Sequence, residues 1–226
     1  MDLKEIREKL LRLEDTILLF LFERSQYKLN EAIYTPKAID IPNFNGSFFE
    51  YLFRGTEDLH GSAGRYIDPE EHPFFIPSKE PIIPRKLDDR GIESKVNLNE
   101  KILKAYLDNL FIICEDGDDN MYGSSAVTDI NCLQAISKRV HIGEQVAQSK
   151  FQENPDEYIK LIKSNDAEGI TNKLRVLKVE EEVLERVKIK GERYNVNPTF
   201  IYNFYKRKIM PLTIEVEVDY FLSKKL

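Results

Sequence analysis

The sequence predicts an all-α protein, a single domain of packed helices, and two observations carry that reading. Apolar residues recur at spacings of three and four over most of the chain, the period of helices that each bury one face. Caps and first-turn prolines fall where those stretches begin. Residues 214–220 alternate polar and apolar, but they sit in a helical frame and are assigned to helix.

The first helix has Asp2 as a cap and Glu5 in the capping-box position. Leu3, Ile6, Leu10, Leu13, Ile17 and Phe20 then form almost a heptad seam, which requires a partner helix in the chain or in a second copy. Arg7 sits beside that seam. Residues 25–45 are broken by Pro36 and Pro42, and a second helix begins at the Ser47 cap and runs to about residue 65. Five prolines between 68 and 98 predict a long irregular excursion. Helical spacing returns through Ile102, Tyr106, Leu110 and Ile113.

The dominant stretch is 123–150, expected to be one long central helix. Val127, Ile130, Leu133, Ile136, Val140 and Val146 mark its buried face, and Thr128 offers a cap near its start. Arg139, Gly143 and Lys150 nearly line up, because eleven residues make roughly three turns. Glycine weakens a helix interior, so Gly143 predicts a close approach by another segment. Two cations flanking it suit an anionic ligand lying along the stripe, and equally suit two solvated side chains. Asn154 and Pro155 start another helix, Asn165 and Asp166 the next, and a charged helix covers about 179–194. The last helix, about 198–222, carries Pro211 at the cost of a kink.

Composition narrows the function. The chain has 226 residues and a net charge of −6, which argues against nucleic acid as the main partner. The two cysteines, Cys114 and Cys132, read as free thiols in a reducing compartment, and no run is apolar and long enough to span a membrane. With no secretory leader pattern, the expected location is the cytoplasm. The acidic turn 115–120 lacks the glycine and glutamate of a calcium loop, since Met121 and Val127 stand at those places. No glycine-rich phosphate loop, nucleophile elbow or HExxH is present, His60, His72 and His141 are scattered, and Glu180 with its acidic neighbours lacks a Glu-x-x-His partner. A reaction without cofactor, metal or covalent step fits what remains.

The segment DGDDNMYGSSAVTDINCLQAISKRVHIGEQVAQSKF resembles the eukaryotic, all-helical chorismate mutases of the AroQ class. So do IREKLLRLEDTILLFLFERSQ near the start, IPNFNGSFFEYL and PEEHPFF in the middle, and MPLTIEVEVDYFL near the end. The blocks keep the family's order and cover most of the chain, with weaker likeness over 76–113 and 153–197. The resemblance implies a helical homodimer that converts chorismate to prephenate. By match to the family, Arg7 and Arg139 grip the substrate carboxylates, Lys150 reaches the ether oxygen and Glu180 holds the ring hydroxyl. Thr213 and Glu217 complete the set, with Glu217 donating to the ether oxygen. Val176 stands where the family has a polar site residue.

The resemblance also implies an aromatic amino-acid effector site at Arg65, Asn120, Gly123 and Ser124. There the family's arginine pair reads Gly64-Arg65, a threonine reads Val127 and an asparagine reads Met121, and the loop at 195–198 is shortened. Reduced inhibition by tyrosine follows. The competing readings are an inactive relative acting as a regulatory or interaction protein, and a plain helical scaffold. Retention of both arginines, Lys150 and Glu217 argues against the first, while the seam from Leu3 to Phe20 would suit the second equally.

Overall fold

The computed structural model describes residues 3–82 and 96–224. Asp2 and part of the proline-rich excursion lie outside them. The described residues form eleven α-helices, with short 3₁₀ turns and no strand.

Helix α5 (Tyr122–His141) is the axis, and α1 (Leu3–Arg24), α2 (Phe48–Ser62), α3 (Asn99–Leu107) and α11 (Met210–Ser223) all pack on it. Being surrounded, α5 buries more than the single face expected: Ser125, Asp129, Gln134, Ser137 and His141 are buried beside Ile130, Leu133, Ile136 and Val140. Val127 is the exception, since it is 52% exposed. The seam of α1 finds its partners inside the chain. Ile17, Leu18 and Leu21 join the main core, while Ile6 and Leu13 pack with Ile142 beyond the end of α5.

Ser47 caps α2 as expected, accepting from the Glu50 N–H at 3.1 Å. Thr128 is not a cap: its hydroxyl donates to the Ser124 carbonyl within the helix, which starts six residues earlier. The true start is set by Asp119, which accepts from the backbone N–H of Met121 and of Lys28 and from the Asn30 amide. The acidic turn is thus a tie between the 28–30 segment and the head of α5. The short α4 (Leu110–Ile113) precedes it.

The expected 123–150 helix is divided at Ile142 into α5 and α6 (Gly143–Glu153). His141, just before the break, is fixed on both ring nitrogens: Nδ1 donates to the Ser137 carbonyl and Nε2 accepts from the Leu98 N–H. Its ring stacks on His72 at 4.0 Å between centroids, and burial holds it neutral, its pKa pushed down to about 3.

Helices α7 (Pro155–Lys163), α8 (Ala167–Leu174) and α9 (Leu177–Arg193) follow. Pro155 stands in the first turn of α7, and Asp166 caps α8 through the Gly169 N–H at 2.8 Å. Glu14 ties α1 to α9: wholly buried, it accepts from Arg186 at 2.7 and 2.9 Å and pairs with Lys190 at 3.2 Å. The last stretch is helical from Pro198 to Ser223, as expected, but a π turn interrupts its α geometry. Between α10 (Pro198–Phe204) and α11 the chain makes a π turn, Tyr205–Ile209, in which the Met210 N–H reaches back to the Tyr205 carbonyl. A proline ring clashes with the carbonyl four residues before it, and the wider turn gives Pro211 that room.

A second buried device joins α1 to α5. The Arg24 guanidinium donates to Asp129 at 2.9 Å and to the carbonyls of Tyr27, Lys28 and Leu29. Asp129 also accepts the hydroxyls of Tyr34 and Tyr106. Both charged side chains are fully shielded from solvent.

Candidate active site

The polar side chains that converge in the helical layer come from α5, α6 and α11. Gly143 makes the convergence possible. A Cβ there would lie 2.7 Å from the Thr213 carbonyl and 3.2 Å from Glu217, so only glycine lets α6 meet α11 at this depth. The close approach expected at Gly143 is therefore the backbone of α11.

Arg139, one turn before Gly143, is 5% exposed and donates to Thr213 Oγ1 at 3.2 Å. Thr213 in turn donates to the Ile209 carbonyl at 2.8 Å, which fixes its hydroxyl. The Arg139 Nε is buried with no partner among the described residues. A buried donor without a partner costs free energy, unless an acceptor arrives with a ligand. On the other side of Gly143, Lys150 Nζ lies 3.4 Å from Glu217 and donates to the Leu174 carbonyl at 2.8 Å.

Glu217 is the most perturbed group here. Burial raises its pKa from the ordinary glutamate value to about 7. The cations Lys150 and Arg139 pull it down, and the negative charge of Glu180 pushes it up. Glu180, in the first turn of α9, is held below its ordinary pKa by Arg175, which grips both carboxylate oxygens at 2.7 and 2.9 Å. A carboxyl that keeps its proton on about half of the molecules at neutral pH thus stands beside one that stays ionised.

Five of the six expected residues are brought into one electrostatic neighbourhood. The sixth, Arg7, is exposed near the start of α1, and among the described residues no ion pair joins it to the rest. It follows Ile6, which packs with Ile142 beside Gly143, so it borders the same region. Val176 is the extended residue just before α9 and is 50% exposed. Sequence reasoning missed Arg175 and the Leu174 carbonyl. The spacing from Arg175 to Glu180 was visible, but nothing local says that the chain between two helices folds them together. Among the described residues no cluster of three His, Cys, Asp or Glu side chains could hold a metal.

The residues expected around an effector are spread out. Arg65 grips Glu71 at 2.9 and 3.0 Å and donates to Gln134 at 2.8 Å. Gln134 is eleven residues along α5 from Gly123, roughly 16 Å at 1.5 Å per residue. Asn120 and Gly123 are exposed, Ser124 is half-buried, and a Cβ on Gly123 would meet nothing. Gly64 has φ 77°, a left-handed conformation that suits glycine and strains an arginine.

The chain is similar to known proteins along nearly its whole length. The model of the family chorismate mutase type II matches residues 121–218, from the head of α5 into α11. The chorismate mutase of Emericella nidulans is 39% identical over 247 residues, covering 99% of this chain and 92% of its own. Among solved structures, the Candida albicans chorismate mutase Aro7p in complex with L-Trp superposes with a TM-score of 0.93 at 39% identity, covering 98% of this chain and 90% of its own. AtCM1 with tyrosine bound in its allosteric site gives 0.91 at 39% identity, covering 99% of this chain and 96% of its own. With relatives this similar along nearly its whole length, the chain belongs to the chorismate mutases, a family of all-helical isomerases.

Proposed function

We propose that the chain isomerises chorismate to prephenate in the site between α5, α6, α9 and α11, as a homodimer. The observation that carries this is Glu217, buried against α6 between Lys150 and Arg139 with a pKa near 7. The reaction is a concerted shift within one molecule: the ether C–O bond breaks as a C–C bond forms, through a chair. Nothing need attack the substrate, so the site must hold the compact conformer and stabilise charge growing on the ether oxygen.

Each residue has a role. Arg139 takes a substrate carboxylate with the donors that Thr213 leaves free, and Arg7 closes on the second carboxylate from the rim. Forked guanidinium donors suit carboxylates. Lys150 exchanges the Leu174 carbonyl for the ether oxygen, and protonated Glu217 donates to that oxygen from the other side. Glu180, kept ionised, accepts the ring hydroxyl.

Glu217 must be protonated to donate, and its protonated fraction falls as pH rises through about 7. Turnover is therefore expected to decline over that range. Glu217→Gln, a donor at every pH, should flatten the decline. A pH–rate profile unchanged by Glu217→Gln would remove the glutamate from the mechanism.

Regulation follows from the scattered effector residues. Arg65 and the 120–124 segment form one pocket only if a second copy brings them together, and exposed Leu59, Met121 and Val127 support such a contact. The tyrosine seen in AtCM1 would find at Gly64 and Val127 no side-chain partner for its phenol. Burying a hydroxyl unpaired costs about 1–3 kcal/mol, so inhibition by tyrosine is expected to be weak or absent. Rates at subsaturating chorismate with and without tyrosine test this; strong inhibition abolished by Arg65→Ala would refute it. The two buried, unpaired thiols, Cys114 and Cys132, support a reducing, cytoplasmic setting.

A further inference from the structure

The short linker between α8 and α9 touches the site twice. At Leu174 its carbonyl accepts from Lys150 at 2.8 Å, and at Arg175 its side chain grips Glu180 through two hydrogen bonds. Arg175 is itself anchored, because its N–H donates to the Thr171 carbonyl at 3.1 Å and closes the last turn of α8. Glu180 sits in the first turn of a helix with no side-chain cap, where the Val176 carbonyl accepts from its backbone N–H at 3.0 Å but the valine side chain offers its carboxylate nothing. Few other restraints act on its carboxylate. Beside the pair, a groove of about 760 Å³ runs between α9 and α11, lined by Leu177, Leu184, Met210, Ile214, Arg175 and Glu180.

We infer that Arg175 is a positioning residue for the mutase reaction: it fixes the Glu180 carboxylate, as an ionised acceptor, in the orientation that receives the substrate's ring hydroxyl. The inference rests on the mutase reading of the site. A two-point guanidinium grip leaves the carboxylate little rotational freedom, while lone pairs on its oxygens remain open to a hydroxyl. The contribution to folding is small, because the Arg175 side chain is 45% exposed and exposed ion pairs stabilise little. The effect is expected in catalysis. In this chain Arg175 also makes up for the missing polar side chain at position 176, anchoring the start of α9 from outside the helix.

The test is a double-mutant cycle in kcat/KM on wild type, Arg175→Ala, Glu180→Gln and the double variant, with thermal unfolding of each. Arg175→Ala is expected to lower kcat/KM roughly tenfold, mainly through KM, the size of coupling typical of residues in direct contact. In the Glu180→Gln background the same change should cost less than about twofold, since the group it orients is gone. Arg175→Lys, which keeps one charged donor, should recover part of the loss. Equal losses in both backgrounds, or a loss that tracks unfolding temperature, would overturn the inference. So would unchanged kcat/KM for Arg175→Ala in an active enzyme, and that result would leave the mutase reading standing. A wild type that does not convert chorismate would overturn both, and full activity in Glu180→Gln would overturn the inference while leaving the mutase reading standing.

Discussion

Replacing Lys150 by alanine is expected to lower turnover by roughly 10²–10³-fold, because removing one preorganised donor from a developing oxyanion costs about 2.7–4 kcal/mol. Arg139→Ala, which loses the grip on a substrate carboxylate, should lower it by about 10²-fold through misplacement of the substrate. The fold should survive. Lys150 is half-buried, and among the described residues its hydrogen-bond acceptors are the Leu174 carbonyl and Glu217. Without the lysine, Glu217 loses a cation that pulls its pKa down, so it stays protonated to higher pH and no unpaired charge is stranded. Two signatures should therefore appear together: lost turnover, and a helical circular-dichroism spectrum unchanged from wild type. If both alanine variants turn over at near wild-type rates, the cation stripe is not the active site.

The largest effect on stability is expected at Asp129. Asp129→Ala removes the acceptor shared by Arg24, Tyr34 and Tyr106 and leaves a guanidinium buried without its counter-charge. Breaking a buried pair from one side typically costs about 3–5 kcal/mol, a large share of the roughly 5–15 kcal/mol that holds a domain folded. Replacing both partners by apolar residues should recover only part of this. Arg24 also serves the carbonyls of Tyr27, Lys28 and Leu29, which would lose their donor. The measurement is the urea midpoint of purified variants at fixed pH. A destabilisation of Asp129→Ala below about 1 kcal/mol would show the network to be dispensable.

The two networks illustrate what the sequence could and could not reveal. Helix class, the Ser47 and Asp166 caps and the close contact at Gly143 all follow from local rules: spacing, side-chain chemistry, the missing Cβ. The family likeness then pointed to Arg139, Lys150, Glu180, Thr213 and Glu217. Arg24 and Asp129 gave no such signal. They lie 105 residues apart, and a lone charge in a helical pattern reads as solvated until the fold brings its partner. Arg175 was hidden for the same reason over a shorter span. Thr128 misled because a threonine can bond the carbonyl four residues before it as readily as cap a helix, and local sequence does not choose between the two. The break at Ile142 had one local sign, the poor helix former Gly143 beside it, which sequence reasoning reads only as a close contact.

The π turn before α11 also acts on the site from a distance, through helical phase. In an unbroken α-helix, Ile201 and Thr213, twelve residues apart, would point about 120° away from each other. The π turn takes up one residue more than an α turn, which reduces that angle to about 20°. Ile201, which is fully buried, and Thr213 can then both face the core, and Glu217 follows one turn on. Chain length over Tyr205–Ile209 is therefore a rotational setting for α11. It determines whether Thr213 and Glu217 look toward Arg139 and Lys150 or away from them.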